Sequence, residues 1–113
     1  MLRRITITAA LSLMLAGTAL ADPIEGNWKT DSGAIAQIAA SGGSFMITLR
    51  SGEHNGKRIG QMQPAGNGKY KGKITDPAND KTYSGNATLN GNSLAMQGCV
   101  AAIFCRTQNW KRQ

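Results

Sequence analysis

From Lys69 to Ile74 the chain reads KYKGKI: a lysine at every odd position, then Tyr70, Gly72 and Ile74 between them. A period of two belongs to an extended strand, whose successive side chains leave on opposite faces, one wet and one buried. The same alternation sets Phe45, Ile47 and Leu49 against Met46, Thr48 and Arg50, and it sets Tyr83, Gly85, Ala87 and Leu89 against Thr82, Ser84, Asn86 and Thr88. The apolar member of each pair must face a core. Beyond residue 21 no segment carries a sustained helical stripe at spacings of three and four. Eight β-prone runs are expected instead, near 24–30, 33–40, 44–50, 57–63, 67–75, 81–89, 93–99 and 103–112, although 33–40 and 57–63 alternate poorly. Turn clusters separate them, among them Pro64 to Gly68, Pro77 to Asp80 and Asn90-Gly91-Asn92. Asn90-Gly91 is the strongest hairpin signal, because both residues tolerate positive φ. Short strands with no crossover helix between them predict an all-β fold. The expected form is a small antiparallel up-and-down meander of about eight short strands, closed or nearly closed into a barrel, since closure removes two exposed edges.

The first 21 residues have the layout of a secretory signal. Arg3 and Arg4 form a positive start, Ile5 to Leu15 is mostly apolar, and Ala19-Leu20-Ala21 fits a small-residue cleavage site. Residues 1–21 therefore read as a signal peptide cleaved after Ala21, and 22–113 as a single barrel domain. The apolar run falls short of the ~20 residues needed to span a bilayer, so no transmembrane anchor is expected in the mature form. A periodic or repetitive architecture is absent, and the expected localisation is periplasmic or secreted.

Charge narrows the partners. The chain carries 13 Lys and Arg against 6 Asp and Glu, a net +7. Inside a cell that excess would suggest nucleic acid. Outside it, nucleic acid is not the expected partner, and anionic envelope polymers, acidic headgroups or an acidic envelope protein fit better.

A domain this small buries only about 60 to 65% of its unfolded surface and profits from a covalent staple. Cys99 and Cys105 are the two cysteines of the chain. By strand parity both fall on the outward face of a hairpin whose loop is Val100 to Phe104. That arrangement can bring their Cα atoms to the ~4.4 to 6.8 Å a disulfide needs. Redox pairs more usually take the C-x-x-C spacing at a helix start, and a zinc site would need more ligands than the two sulfurs and His54 supply. A structural disulfide is expected, and no metal or cofactor.

The stretch DPANDKTYSGNATLNGNSLAMQGCVAAIFCRTQNWKR, from Asp76 to Arg112, resembles the C-terminal signature of a bacterial secreted family known as domain of unknown function 2147 (DUF2147). Asp76, Pro77, Asn79, Lys81, Tyr83 and Gly85 match the first part of that pattern. Gly98, Cys99, Phe104, Cys105, Arg106, Gln108, Trp110 and Arg112 match the second. Asp80 stands where the family usually has glycine; an aspartate can adopt the left-handed conformation that such a turn requires. The opening Gly26-Asn27-Trp28 is similar to the G-x-W start of lipocalin-type barrels, whose tryptophan packs beneath a basic residue from the last strand. The resemblance implies a small calycin-like barrel and no known activity.

It also implies an inward Arg-x-Gln-x-Trp on the last strand, with Arg106 and Gln108 beside Phe104 and Trp110. A buried guanidinium must be paired, stacked or liganded. Its possible partners are the Trp28 or Trp110 ring, Asp76, or an anionic ligand. The candidate ligand-binding residues are Arg106, Gln108, Trp28, Tyr70, Tyr83 and Trp110. Asp76, Asn79 and Asp80 lack the spacing of a calcium loop and read as turn chemistry, and His54 reads as a solvated loop residue. No nucleophile elbow, paired-carboxylate motif or phosphate loop occurs, so an enzyme is not expected. The expected function is that of a non-enzymatic barrel binding a small apolar or anionic ligand. The alternative is a protein-binding module, such as a periplasmic protease inhibitor or an envelope interaction protein.

Overall fold

The computed structural model describes residues 22–101 and 103–113. The expected signal segment, 1–21, lies outside the described residues. Eight strands follow one another: β1 (Gly26–Lys29), β2 (Ile35–Ser41), β3 (Ser44–Leu49), β4 (Arg58–Gly66), β5 (Lys69–Asp76), β6 (Lys81–Asn90), β7 (Ser93–Val100) and β8 (Phe104–Arg112). Each pairs antiparallel with the next, and β8 returns to β1 to close the barrel. The all-β, up-and-down, calycin-like reading is thus the observed architecture. The closing seam is short, with Trp28 opposite Arg112 and Lys29 opposite Lys111.

Faces follow the period of two wherever the ladder is regular. Phe45, Ile47 and Leu49 are buried in β3, and Tyr70 is buried in β5 while Lys69, Lys71 and Lys73 are exposed. The poor alternation of 57–63 has a cause: the β3–β4 register slips between Ile47 and Thr48, pairing them with Gly60 and Arg58. The extra residue, Ile59, turns inward and is buried, as is Met62. A bulge of this kind adds one residue to one strand and reverses its alternation beyond that point.

Two turns depart from expectation. Pro64, Ala65 and Gly66 extend β4 through a second irregularity, and the reversal itself is Asn67-Gly68, with φ of 55° and 74°. Positive φ at both central residues is the signature of the tightest hairpin turn, which favours Asn-Gly. At Asn90-Gly91, by contrast, Asn90 belongs to the ladder opposite Ser93, and Gly91 alone takes positive φ, 62°. The turn there is Gly91-Asn92. Asp80 adopts φ 60°, as its replacement of glycine requires.

Inward glycines let the barrel curve tightly. Gly72, Gly85 and Gly98 form one cross-strand row over β5, β6 and β7. A Cβ at Gly72 would overlap the Gln61 carbonyl, so only glycine permits β4 and β5 to approach this closely.

The core fills one end of the barrel. Ile24, Trp28, Ala36, Ile38, Phe45, Ile47, Met62, Tyr70, Ala87 and Leu94 pack together there. Ile24 closes this end like a stopper, its amide held by Asp22 Oδ1 (3.0 Å) and its carbonyl by Trp28 Nε1 (2.9 Å). The Phe45 and Tyr70 rings meet edge to face, with centroids 5.9 Å apart. The loops at the other end, 30–34, 50–57, 77–80 and the β7–β8 tip, surround an opening.

Candidate functional site: a half-filled barrel

That opening leads into a cavity of about 1400 Å³, open to solvent. Its apolar floor is formed by Leu49, Ile59, Ile74, Met96 and Trp110, the upper surface of the packed core. Its walls come from the first strand–strand loop (Thr30 to Ala34), the 51–54 loop, the 76–79 turn and the upper halves of β6, β7 and β8. The barrel interior is therefore packed in one half and hollow in the other.

In the open half, one inward position of β7 carries no side chain, and its neighbours use the room. Gly98 lies directly across from Arg106 and presents no side chain. The Tyr83 ring and Ile74 pack around the space its Cβ would occupy, 3.6 Å from Tyr83 Cβ and 3.1 Å from Ile74 Cγ2. Met96 faces Gln108, and Leu94 faces Trp110. Down β8 the cavity wall thus grades from Phe104 at the mouth, through Arg106 and Gln108, to the buried Trp110.

Four of the expected ligand-binding residues line this cavity together: Arg106, Gln108, Tyr83 and Trp110. Trp28 and Tyr70 do not. Trp28 is fully buried at the closed end, and Tyr70 donates to Asp22 Oδ1 (2.6 Å), tying the chain before β1 to β5. Burial first, and then the Asp22 carboxylate, push the Tyr70 phenol well above its usual range. Parity put Tyr70 inside correctly, as the G-x-W likeness did for Trp28. Neither said at which end.

Arg106 also differs from expectation. It is exposed at the cavity wall rather than buried, and no hydrogen bond or ion pair engages its guanidinium among the described residues. None of its expected partners within the chain reaches it. Asp76 Oδ1 accepts from the Ala78 amide (2.9 Å) within the turn. Trp110 Nε1 donates to Gln108 Oε1 (2.9 Å), leaving the Gln108 amide NH2 as a donor. Trp28 is covered by Arg112, whose guanidinium carbon sits 4.3 Å from the ring centroid. The basic residue expected over the G-x-W tryptophan is therefore Arg112.

Cys99 and Cys105 are direct cross-strand partners and form the expected disulfide, with Cα atoms 4.0 Å apart, slightly closer than the expected range. The pair lies on the face opposite Gly98 and Arg106, as parity required. Val100 and Phe104 still pair, so the hairpin loop is shorter than expected and spans 101–103, with Ala101 at φ 55°. Above the bridge, Val100, Ile103 and Phe104 stand 48%, 75% and 74% exposed at the mouth of the cavity.

Asp76, Asn79 and Asp80 serve the β5–β6 turn. Asn79 Oδ1 accepts from the Lys81 amide (2.9 Å), and Asp80 pairs with Lys57. His54 is half-buried on the 50–57 loop and faces the cavity, a position its Gly- and Asn-rich surroundings did not indicate. Sequence reading also missed Leu49, Ile59 and Met96 as cavity floor. The parity of Leu49 and Met96 was legible; that of Ile59 was hidden by the bulge.

The family model described as an uncharacterized protein conserved in bacteria (DUF2147) matches residues 48–112, from β3 through β8. No curated protein and no solved structure matched the chain.

Proposed function

Because the chain belongs to the DUF2147 family, whose description names no activity, we propose its function from the cavity: a non-enzymatic barrel that binds a small amphipathic ligand with an anionic head. One observation carries this reading. The cavity joins an apolar floor to a guanidinium that no group of the chain engages among the described residues. Apolar pockets with a few convergent polar groups are the usual form of small-molecule sites. An apolar tail would cover Leu49, Ile59, Met96 and Trp110. A carboxylate or phosphate would accept from Arg106, the Gln108 amide and the Tyr83 hydroxyl, and charge-assisted bonds to arginine are among the stronger polar contacts. Export to an oxidising compartment accords with the disulfide and with the signal-like leader.

Titration with a lipophilic fluorescent dye and with dodecanoate, followed by native mass spectrometry, tests the proposal. Dodecanoate should bind one per barrel and displace the dye. Arg106→Ala should weaken dodecanoate roughly tenfold or more while leaving dodecanol nearly unchanged, since only the charged head loses its partner. A barrel that binds neither compound, or one indifferent to Arg106→Ala, refutes it.

A second reading, a protein-binding module, is favoured by the apolar tip. Val100, Ile103 and Phe104 form a stapled, exposed cluster of the kind that marks interaction sites, and an acidic envelope protein or protease fits the net charge. Partner capture that survives Arg106→Ala but is lost in Ile103→Ser/Phe104→Ser would select this reading over the first.

A further inference from the structure

The outward face of β5 presents Lys69, Lys71 and Lys73 in a line, each exposed. Lysines on a strand usually protect an unpaired edge. That reason is absent here, because β5 is hydrogen-bonded to β4 on one side and to β6 on the other. Nor do they have acidic partners. The carboxylates lie elsewhere: Asp22 and Glu25 before β1, Asp31 and Glu53 in loops, and Asp76 and Asp80 at the β5–β6 turn. The single ion pair among the described residues is Lys57 with Asp80. Three like charges recur along one strand at about 6.8 Å, a mutual repulsion that an anionic partner would relieve.

The neighbours of these lysines specify the partner. Register places Gln63, Lys71, Asn86, Gln97 and Thr107 in one continuous cross-strand row over β4 to β8. Amides and hydroxyls therefore flank the ammonium groups on both sides. The outward positions of β5 and β6 hold no aliphatic or aromatic side chain to enter a bilayer or to stack on a base. Amides and hydroxyls hydrogen-bond sugar hydroxyls, and ammonium groups pair with acid groups at regular intervals. We propose that the outer face of β5 and its flanking strands is a docking surface for a linear acidic polysaccharide.

The surface is on the outside of the wall, so it is independent of the cavity. The probe is polygalacturonate, with neutral dextran as control and phosphatidylglycerol vesicles as the competing surface, measured by titration calorimetry at two salt concentrations. Polygalacturonate should bind with an affinity that falls as salt rises, and dextran should not bind. Lys69→Gln/Lys71→Gln/Lys73→Gln should weaken binding roughly tenfold or more, whereas the triple arginine variant should retain it. Asn86→Ala should weaken it severalfold without altering the charge, and Arg106→Ala should leave it intact. These lysines are solvent-exposed, so melting curves of the variants should match the parent. Polygalacturonate binding that is absent, or unchanged by the triple glutamine variant, overturns the proposal. Equal binding of vesicles with the same dependence on the lysines overturns the sugar assignment in favour of a membrane surface.

Discussion

Arg106 and Arg112 occupy the same face of the same strand, yet truncating them should have opposite consequences. The Arg112 guanidinium lies over the fully buried Trp28 ring at 4.3 Å. It donates from Nη2 to the Pro23 carbonyl (2.6 Å), from Nη1 to the Glu25 carbonyl (3.2 Å) and from Nε to Asn92 Oδ1 (3.1 Å). One side chain thus joins the N-terminal plug, the β6–β7 turn and the closing seam. A cation over a desolvated tryptophan contributes roughly 1 to 2 kcal/mol. Bonds from a charged donor reach about 1.5 kcal/mol or more when buried, but Arg112 is partly exposed, so about 1 to 2 kcal/mol for the set is a suitable discount. Arg112→Ala should therefore cost about 3 kcal/mol, which lowers the melting temperature of so small a domain by roughly 12 to 24 °C. Arg112→Lys keeps the charge over the ring but loses the planar fork and should fall between. Arg106→Ala, with no partner to lose, should stay within about 0.5 kcal/mol of the parent. Thermal melts followed by far-ultraviolet circular dichroism measure all three. If Arg112→Ala melted within a few degrees of the parent, or if Arg106→Ala cost as much, the assignment of one arginine to closure and the other to the cavity would be refuted.

Replacing Cys99 and Cys105 with serine should leave the same sheet but remove about 2 kcal/mol of loop-closure stabilisation for this short ring, roughly 8 to 16 °C in melting temperature. Two reactive thiols in the oxidised protein, or an unchanged melt, would refute the staple. Tyr70 governs an alkaline limit. Because its folded-state pKa is raised, its contribution is fully present below the unfolded phenol value of about 10 and declines as pH rises above it. Urea midpoints from pH 8 to 11.5 should fall in the upper part of that range, and Tyr70→Phe should flatten part of the decline; an unaltered slope would show that the phenol is not its source.

How far the sequence reaches is clearest strand by strand. KYKGKI in β5 declares its faces because period-two alternation is a local property, set by backbone geometry at each residue. The same holds for β3 and β6, and a chain of such segments without a crossover helix has few ways to close other than a meander barrel. The cysteine pairing was legible for the same reason, since parity and loop length alone put the two residues opposite each other. Ile59 was not legible, because a bulge depends on how β4 meets β3 and leaves no mark in composition. Nor could the hairpin Asn-Gly pairs be ranked locally: Asn67-Gly68 makes its turn and Asn90-Gly91 does not, because register on the flanking strands decides which residues remain unpaired. The candidate site depended most on tertiary structure. Parity put Tyr70 inside, and the family resemblance implied the same for Trp28, Arg106, Gln108 and Trp110, but depth along the barrel axis is a property of the closed sheet, fixed by stagger between strands. Depth sends Trp28, Tyr70 and Arg112 to a packed floor and Arg106, Gln108 and Tyr83 to a hollow mouth. The alternating pattern determined which side chains point inward; closure of β8 onto β1 decided which of them meet one another and which face open space.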